Sequence, residues 1–281
     1  LFPYTTLFRS GGGDAITLSL SKPLSQGFGW GIAYTRTTAT EVSPLTSSTS
    51  NSNWNGRNIF NPNEETLQNS NYLTRDRFNG NIQWSKAFVG NYRTTFGVTY
   101  EGRKGKPYSW TFRNDMNGDG VAGNDLMYIP SAPGSGEVEF FGANAAAKQA
   151  TEDKFWQIVG TYKELNDSRG KVVKRGGSFS PFVNNFDVRI SQEVPGFTSN
   201  HKGTISFDIL NFGNFLDRRW GRINEMAFQS AGGNRRTFVS TGGLNAQGKY
   251  IYAVGDVDDY TLRQAKGESQ WAMQVTLKYE F

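Results

Sequence analysis

Seven stretches of the chain alternate apolar and polar residues with a period of two, which puts successive side chains on opposite faces of a strand. Ile16, Leu18 and Leu20 alternate with Thr17, Ser19 and Ser21, and Phe28, Trp30, Ile32 and Tyr34 with Gly29, Gly31, Ala33 and Thr35. Phe78, Ile82 and Trp84 follow, then Tyr92, Phe96, Val98 and Tyr100, then Phe186, Val188 and Ile190, then Ile205, Phe207 and Ile209. The last stretch is the most regular, with Trp271, Met273, Val275, Leu277, Tyr279 and Phe281 set against Ala272, Gln274, Thr276, Lys278 and Glu280. In these stretches the charges, Arg93, Glu101, Asp187, Arg189 and Asp208 among them, fall on one face only. The pattern predicts an all-β chain of about seven antiparallel strands.

The connections separate two kinds of sheet protein. A water-soluble sandwich also alternates along its strands, but nothing makes its long and short connections take turns. Here they run short, long, short, long, short, long, over residues 23–27, 41–74, 89–91, 111–181, 195–202 and 215–269. A transmembrane β-barrel with tight periplasmic turns and long extracellular loops has this order. Residues 271–281 make roughly 33 Å of strand, or roughly 25 Å of height at a tilt of about 40°. That height matches the apolar band of an outer-membrane barrel, with Trp271 at one interface and Tyr279 and Phe281 at the other. The smallest bacterial barrels have about eight strands, so the chain is expected to be the C-terminal portion of a larger barrel. Within the second long loop, residues 145–165, carrying Phe155, Trp156, Ile158, Val159 and Leu165, predict a short helix.

Composition changes this picture little. The chain is 14% aromatic with 33 glycines, as suits strands and polar loops. No stretch reaches the run of roughly 18 to 20 apolar residues that a membrane-spanning helix needs. The formal charge of +5 comes from scattered lysines and arginines, so no nucleic-acid partner is expected. There is no cysteine, which excludes disulfides, zinc-thiolate sites and cysteine nucleophiles. His201 is the single histidine and sits in a predicted turn away from any Ser or Cys motif. With no P-loop, H-E-x-x-H or G-x-S-x-G pattern and no recognisable carboxylate pair, no catalytic activity is expected. Residues 1–10, LFPYTTLFRS, read as the in-frame translation of a sequencing adapter, the alternative being a true N-terminal strand. Fold reasoning therefore applies to residues 11–281.

The alternating run that ends on Phe281 resembles the C-terminal signature by which outer-membrane barrels are recognised by their assembly machinery. Residues 114–130 (NDMNGDGVAGNDLMYIP) and 174–190 (KRGGSFSPFVNNFDVRI) resemble a loop and the strand returning from it in Oar-like TonB-dependent receptors. This is a large-loop group with a carboxypeptidase-regulatory-like N-terminal domain, and the resemblance covers essentially all of residues 11–281. It implies a barrel of about 22 strands around a plug, in the outer membrane of a Gram-negative bacterium. It further implies a TonB box, in a region upstream of these residues, that couples uptake of an extracellular ligand to the inner-membrane proton gradient. The ligand is not legible in the sequence. A passive porin or an adhesive, structural barrel is the alternative function.

The strongest candidate for chemistry is Asp115, Asn117 and Asp119 followed by Gly120, a D-x-N-x-D-G spacing that offers three oxygen ligands to a hard cation such as calcium. An EF-hand would place Glu where this chain has Leu126, but the adjacent Asp125 could complete a shorter loop. The same residues also favour a plain Asn/Asp/Gly turn. Arg175, Gly176 and Gly177 admit two readings too, an anion-binding nest or the descent into a strand. The loop aromatics Trp54, Phe60, Tyr72, Trp110, Phe140, Phe141, Trp156, Trp220, Phe228, Tyr250 and Tyr252 either form a ligand-binding surface or pack the loops against one another.

Overall fold

The computed structural model describes residues 11–45, 47–198, 201–226 and 234–281. Residues 1–10, read as an adapter translation, and the loop aromatic Phe228 lie outside the described residues. Ten strands of five or more residues are described. They are β1 (Gly11–Ser25), β2 (Phe28–Glu41), β3 (Asp76–Val89), β4 (Tyr92–Arg103), β5 (Pro107–Phe112), β6 (Val183–Pro195), β7 (Lys202–Leu210), β8 (Arg235–Leu244), β9 (Tyr250–Val254) and β10 (Ala272–Glu280). Helices are confined to the connections: α1 (Ser50–Asn55), α2 (Ala145–Thr161), α3 (Lys163–Asp167) and α4 (Phe212–Leu216). None of the described helices is long and apolar enough to cross a membrane.

β1, β2, β3, β4, β6, β7 and β10 form one antiparallel meander in which sequence neighbours are spatial neighbours. These are the seven alternating stretches, each extended by the ladder beyond its clearest pattern except β10, which runs from Ala272 to Glu280. The sheet is open, with β1 and β10 at its edges. The first tight turn is Gln26–Gly27, both at positive φ (54° and 81°), the conformation of a type I′ hairpin turn. Pro23, expected in that turn, instead lies inside β1 beside a register shift between Lys22 and Ser25. An edge strand tolerates it because a bulged, unpaired position requires no N–H.

Register aligns the apolar positions into transverse rows. Trp30, Ile82, Val98, Val188, Ile209 and Met273 form one row, and Phe28, Trp84, Phe96, Ile190, Phe207 and Val275 form the next. This face is exposed: Leu18 is 72% accessible, Ile82 54%, Val275 55% and Leu277 76%. The opposite face carries Asn79, Asn81, Glu101, Asp187, Arg189 and Asp208, with ion pairs such as Arg77–Glu101 (2.9 Å) and Arg189–Asp208 (3.3 Å) across strands.

The buried core lies elsewhere. Among the described residues, the only buried apolar side chain on the seven-stranded sheet is Val183, at the loop end of β6. The rest come from the three long connections, which fold into one cap. Its small sheet pairs β5 with β8 in parallel and β8 with β9 antiparallel, although β5 and β8 belong to different connections. α2 covers this sheet with Phe155 and Val159, and α3 adds Leu165, all fully buried against Trp110, Phe112, Phe238 and Tyr252. The helix predicted over 145–165 is therefore two helices, broken at Tyr162, whose backbone is extended. Asn144 caps α2 by accepting a hydrogen bond from the Ala147 N–H at 2.9 Å.

Phe155→Ala is expected to cost about 3–5 kcal/mol, expressed as protease cleavage within the cap while the long strands stay protected. Phe141→Ala, at a side chain 64% exposed, is expected to stay within about 0.5 kcal/mol. Limited proteolysis with mass mapping of the fragments checks both.

Candidate functional site

The acidic turn follows β5 and leads into Leu126, which enters the cap core. The Gly118 and Gly120 N–H groups donate to the two carboxylate oxygens of Asp115, at 2.8 and 2.9 Å. Asn117 Oδ1 accepts from the Asp119 N–H, and Asp119 Oδ1 from the Val121 N–H. Gly118, Gly120 and Gly123 all adopt positive φ, which lets the chain wrap tightly around its own carboxylates. Asp115, Asp119 and Asp125 come together, each offering an oxygen within 4.8 Å of the others. Asn117 belongs to the same turn, its amide 3.4 Å from Asp119 Oδ2.

Asp125 differs from its partners. It is fully buried, and its Oδ2 accepts from the Met116 and Asn117 N–H groups while Oδ1 has no partner. Burial pushes its carboxyl up to about 6; the two N–H donors pull the other way, and Asp119 and Asp115 add to the rise. The neighbouring Asn124 is also buried, with Nδ2 on Asp119 Oδ2 at 3.1 Å and Oδ1 unpartnered. Leu126, the position an EF-hand gives to Glu, points into the cap core.

All three long connections meet here. Ile59, from the first, bridges to Asp125, its N–H on Asn124 O and its O accepting from the Leu126 N–H, both at 2.9 Å. Arg235, at the start of β8, donates to Asn58 Oδ1 (2.9 Å) and Ala122 O (3.1 Å). Burial lowers its guanidinium to about 10, and Asp125 and Asp119 oppose that drop. It forms no ion pair with either carboxylate.

The loop aromatics divide. Trp110, Phe140 and Tyr252 are buried, and Trp156 packs against the core, so these serve the cap itself. Tyr250 packs there as well, and Trp54 lies under the guanidinium of Arg57 at 4.3 Å. Phe60, Tyr72, Phe141 and Trp220 remain exposed and keep the surface reading open to test. Arg236, not singled out by any motif, is 5% exposed within four rings: Tyr260 at 4.2 Å, Tyr162 at 5.0 Å, Trp110 at 5.3 Å and Tyr108 at 5.9 Å. Its Nε donates to Asp258 O and its Nη1 to Tyr260 Oη. Only the tertiary fold collects those rings, so the sequence carries no signal for the cage.

Arg175 is buried and donates to Glu41 O and Val42 O, tying the second connection to the end of β2. The Gly176 N–H goes to Ser109 Oγ and the Gly177 N–H to Lys174 O, which leaves no anion nest there. His201 sits in the β6–β7 turn with Nδ1 2.9 Å from Tyr279 Oη. On the polar face of the long sheet, Ser19, Ser21, Asn79, Asn81, Glu101 and Asp187 help line a concavity of about 480 Å3.

No protein-family model, curated protein or solved structure matches this chain.

Arg236→Ala empties the cage and leaves four rings and two acceptors without their cation. It is expected to destabilise the cap by about 2–4 kcal/mol, read as a lower midpoint in tryptophan-monitored unfolding. Trp220→Ala, at a side chain 57% exposed, is expected to leave that midpoint unchanged.

Proposed function

We propose that this chain is wall and surface cap of a Gram-negative outer-membrane β-barrel that works as a TonB-dependent receptor for an extracellular ligand. The observation that carries the membrane part is the exposed apolar face of the seven-stranded sheet, set beside a core built almost wholly from the connections. A face of this size in water would carry a large free-energy cost, at about 25 cal/mol per Å2 of apolar surface, and exposed patches so large mark contact with protein or lipid. Lipid removes the cost, and the strands satisfy their backbone groups laterally, as hydrocarbon demands. Five of the seven strands have 12 to 15 residues, enough at about 3.3 Å per residue to cross a band of about 25 Å with tilt. A water-soluble sandwich would lay its second sheet on the apolar face, whereas the second sheet here belongs to the cap.

The receptor part rests on the resemblance of residues 114–130 and 174–190 to Oar-like receptors and on the folded cap at one end of the wall. In this reading lipid covers the apolar face, the polar face lines the interior, and the strand ending near Phe281 is read by the assembly machinery. TonB engages a region outside these residues, and the exposed loop aromatics are candidates for ligand contact.

Because the chain has no cysteine, single-cysteine labelling tests the wall directly. Leu18→Cys, Ile82→Cys and Val275→Cys are expected to react with a lipid-soluble maleimide and to resist a charged, membrane-impermeant one, while Asn81→Cys and Thr276→Cys show no such preference. Recovery of the protein in the aqueous phase without detergent, with the charged reagent reaching all five positions, refutes the membrane reading. Val275→Arg is expected to cost about 2–4 kcal/mol if it lies near the bilayer midplane. Retention of the full-length protein by an immobilised TonB periplasmic domain supports the receptor, and loss of that retention in intact barrel points to a passive pore or adhesin.

A further inference from the structure

We propose that the acidic turn of the second connection is a calcium site, with Asp115, Asn117, Asp119 and Asp125 as its ligands, and that the ion fastens the three connections into one cap. The inference concerns the cap alone and stands whether or not the sheet lies in lipid.

Two independent observations point to a cation. One is the convergence of three carboxylates whose oxygens lie within 4.8 Å of one another. The other is Asp125 Oδ1, an oxygen of a fully buried carboxylate in that cluster with no hydrogen-bond donor. Leaving such an atom unmatched costs several kcal/mol for a charged group, and a bound cation removes the cost. Asn124 Oδ1, one residue away, is a second buried oxygen in the same condition.

Charge and donor chemistry point to a hard divalent ion. Three carboxylates beside the single guanidinium of Arg235 leave a net deficit that a divalent cation balances. Two oxygens on opposite sides of Ca2+ stand about 4.6–5.2 Å apart, against about 4.0–4.2 Å around Mg2+. Oxygens that all lie within 4.8 Å of one another fit around an ion of calcium's size. All the donors are oxygens, with no histidine or thiolate to favour zinc.

The backbone next to the site explains what the ion would do. The Phe112 N–H donates to Asp125 O at 2.9 Å, Ile59 brackets Asn124 and Leu126, and Arg235 holds Ala122 O. Fixing Asp125 therefore fixes the junction of β5, the first connection and β8. Without the ion, repulsion among the carboxylates acts on that same junction.

The test uses the full-length protein in detergent, stripped of metal and titrated with Tb3+, whose emission is sensitised by nearby tryptophan. We expect saturable binding that Ca2+ reverses and an equal concentration of Mg2+ does not, with an apparent Kd for Ca2+ of about 0.1–1 mM, the range of extracellular modules. Asp125→Asn and Asp119→Asn are each expected to weaken binding at least tenfold, and Asp153→Asn, on an exposed turn of α2, to leave it unchanged. Calcium is also expected to slow proteolysis of residues 42–75 and 104–182 in the unaltered protein and not in Asp119→Asn. Asp115→Asn, at a partly exposed position, serves if Asp125→Asn misfolds, and it too is expected to weaken binding tenfold. Tb3+ emission that Ca2+ cannot displace, or binding by Asp119→Asn and Asp115→Asn as tight as that of the unaltered protein, overturns the proposal and leaves a hydrogen-bonded turn.

Discussion

The structure depends on the unbroken lateral hydrogen-bond ladder of the long sheet. Because side chains alternate with period two, register alone decides which face each residue occupies. Val188 pairs with Val98 on one side and Ile209 on the other, so Asp187 and Arg189 fall together on the polar face. A slip of one residue in β6 would carry both charges, and Asn185 with them, onto the face where Phe186 and Ile190 now stand. The ladder also lets the sheet hold its form with almost no buried apolar side chains of its own.

Two hydrophobic systems coexist, and they follow different rules. On the long sheet, apolar residues point outward in rows and are matched only to their lateral neighbours, as where Trp84 stacks on Phe96 at 5.6 Å. In the cap they are packed on all sides, with aromatic rings meeting edge to face, as Trp110 and Phe238 do at 5.7 Å. Arginine joins the parts that apolar contacts do not. Arg175 ties the second connection to the end of β2, Arg235 reaches the first connection from β8, and Arg236 fills the aromatic cage. The planar guanidinium suits each place, since it can stack on rings and donate in its plane at once.

How much of this was legible in the sequence follows from the range of the interactions. The seven long strands were legible because alternation is local, and so were their tight turns, apart from Pro23, whose place at a bulged edge depends on pairing. The acids of the turn were legible as a spacing, and the fold brings Asp115, Asp119 and Asp125 together. The burial of Asp125 was not, because Ile59, which bridges to it, comes from a different connection far away in the chain. The pairing of the cap sheet was not legible: β5 (PYSWTF) alternates Tyr108, Trp110 and Phe112 with Ser109 and Thr111 over only six residues, all of them buried, and its parallel partner β8 lies more than a hundred residues away. The loop aromatics left two roles open because exposure is a property of the assembled cap.

That parallel pairing sets the size of the loop the cap has to close. β5 follows β4 directly, yet the strand it needs and the Phe238 and Tyr252 that close its core come more than a hundred residues later. Such a distant contact is slow to form because the entropy of closing the loop must be met first. The hairpins β3–β4, just before β5, and β6–β7, between β5 and β8, have only short-range ladders to complete. Completing the cap sheet therefore carries a larger loop-closure cost than completing either hairpin of the wall.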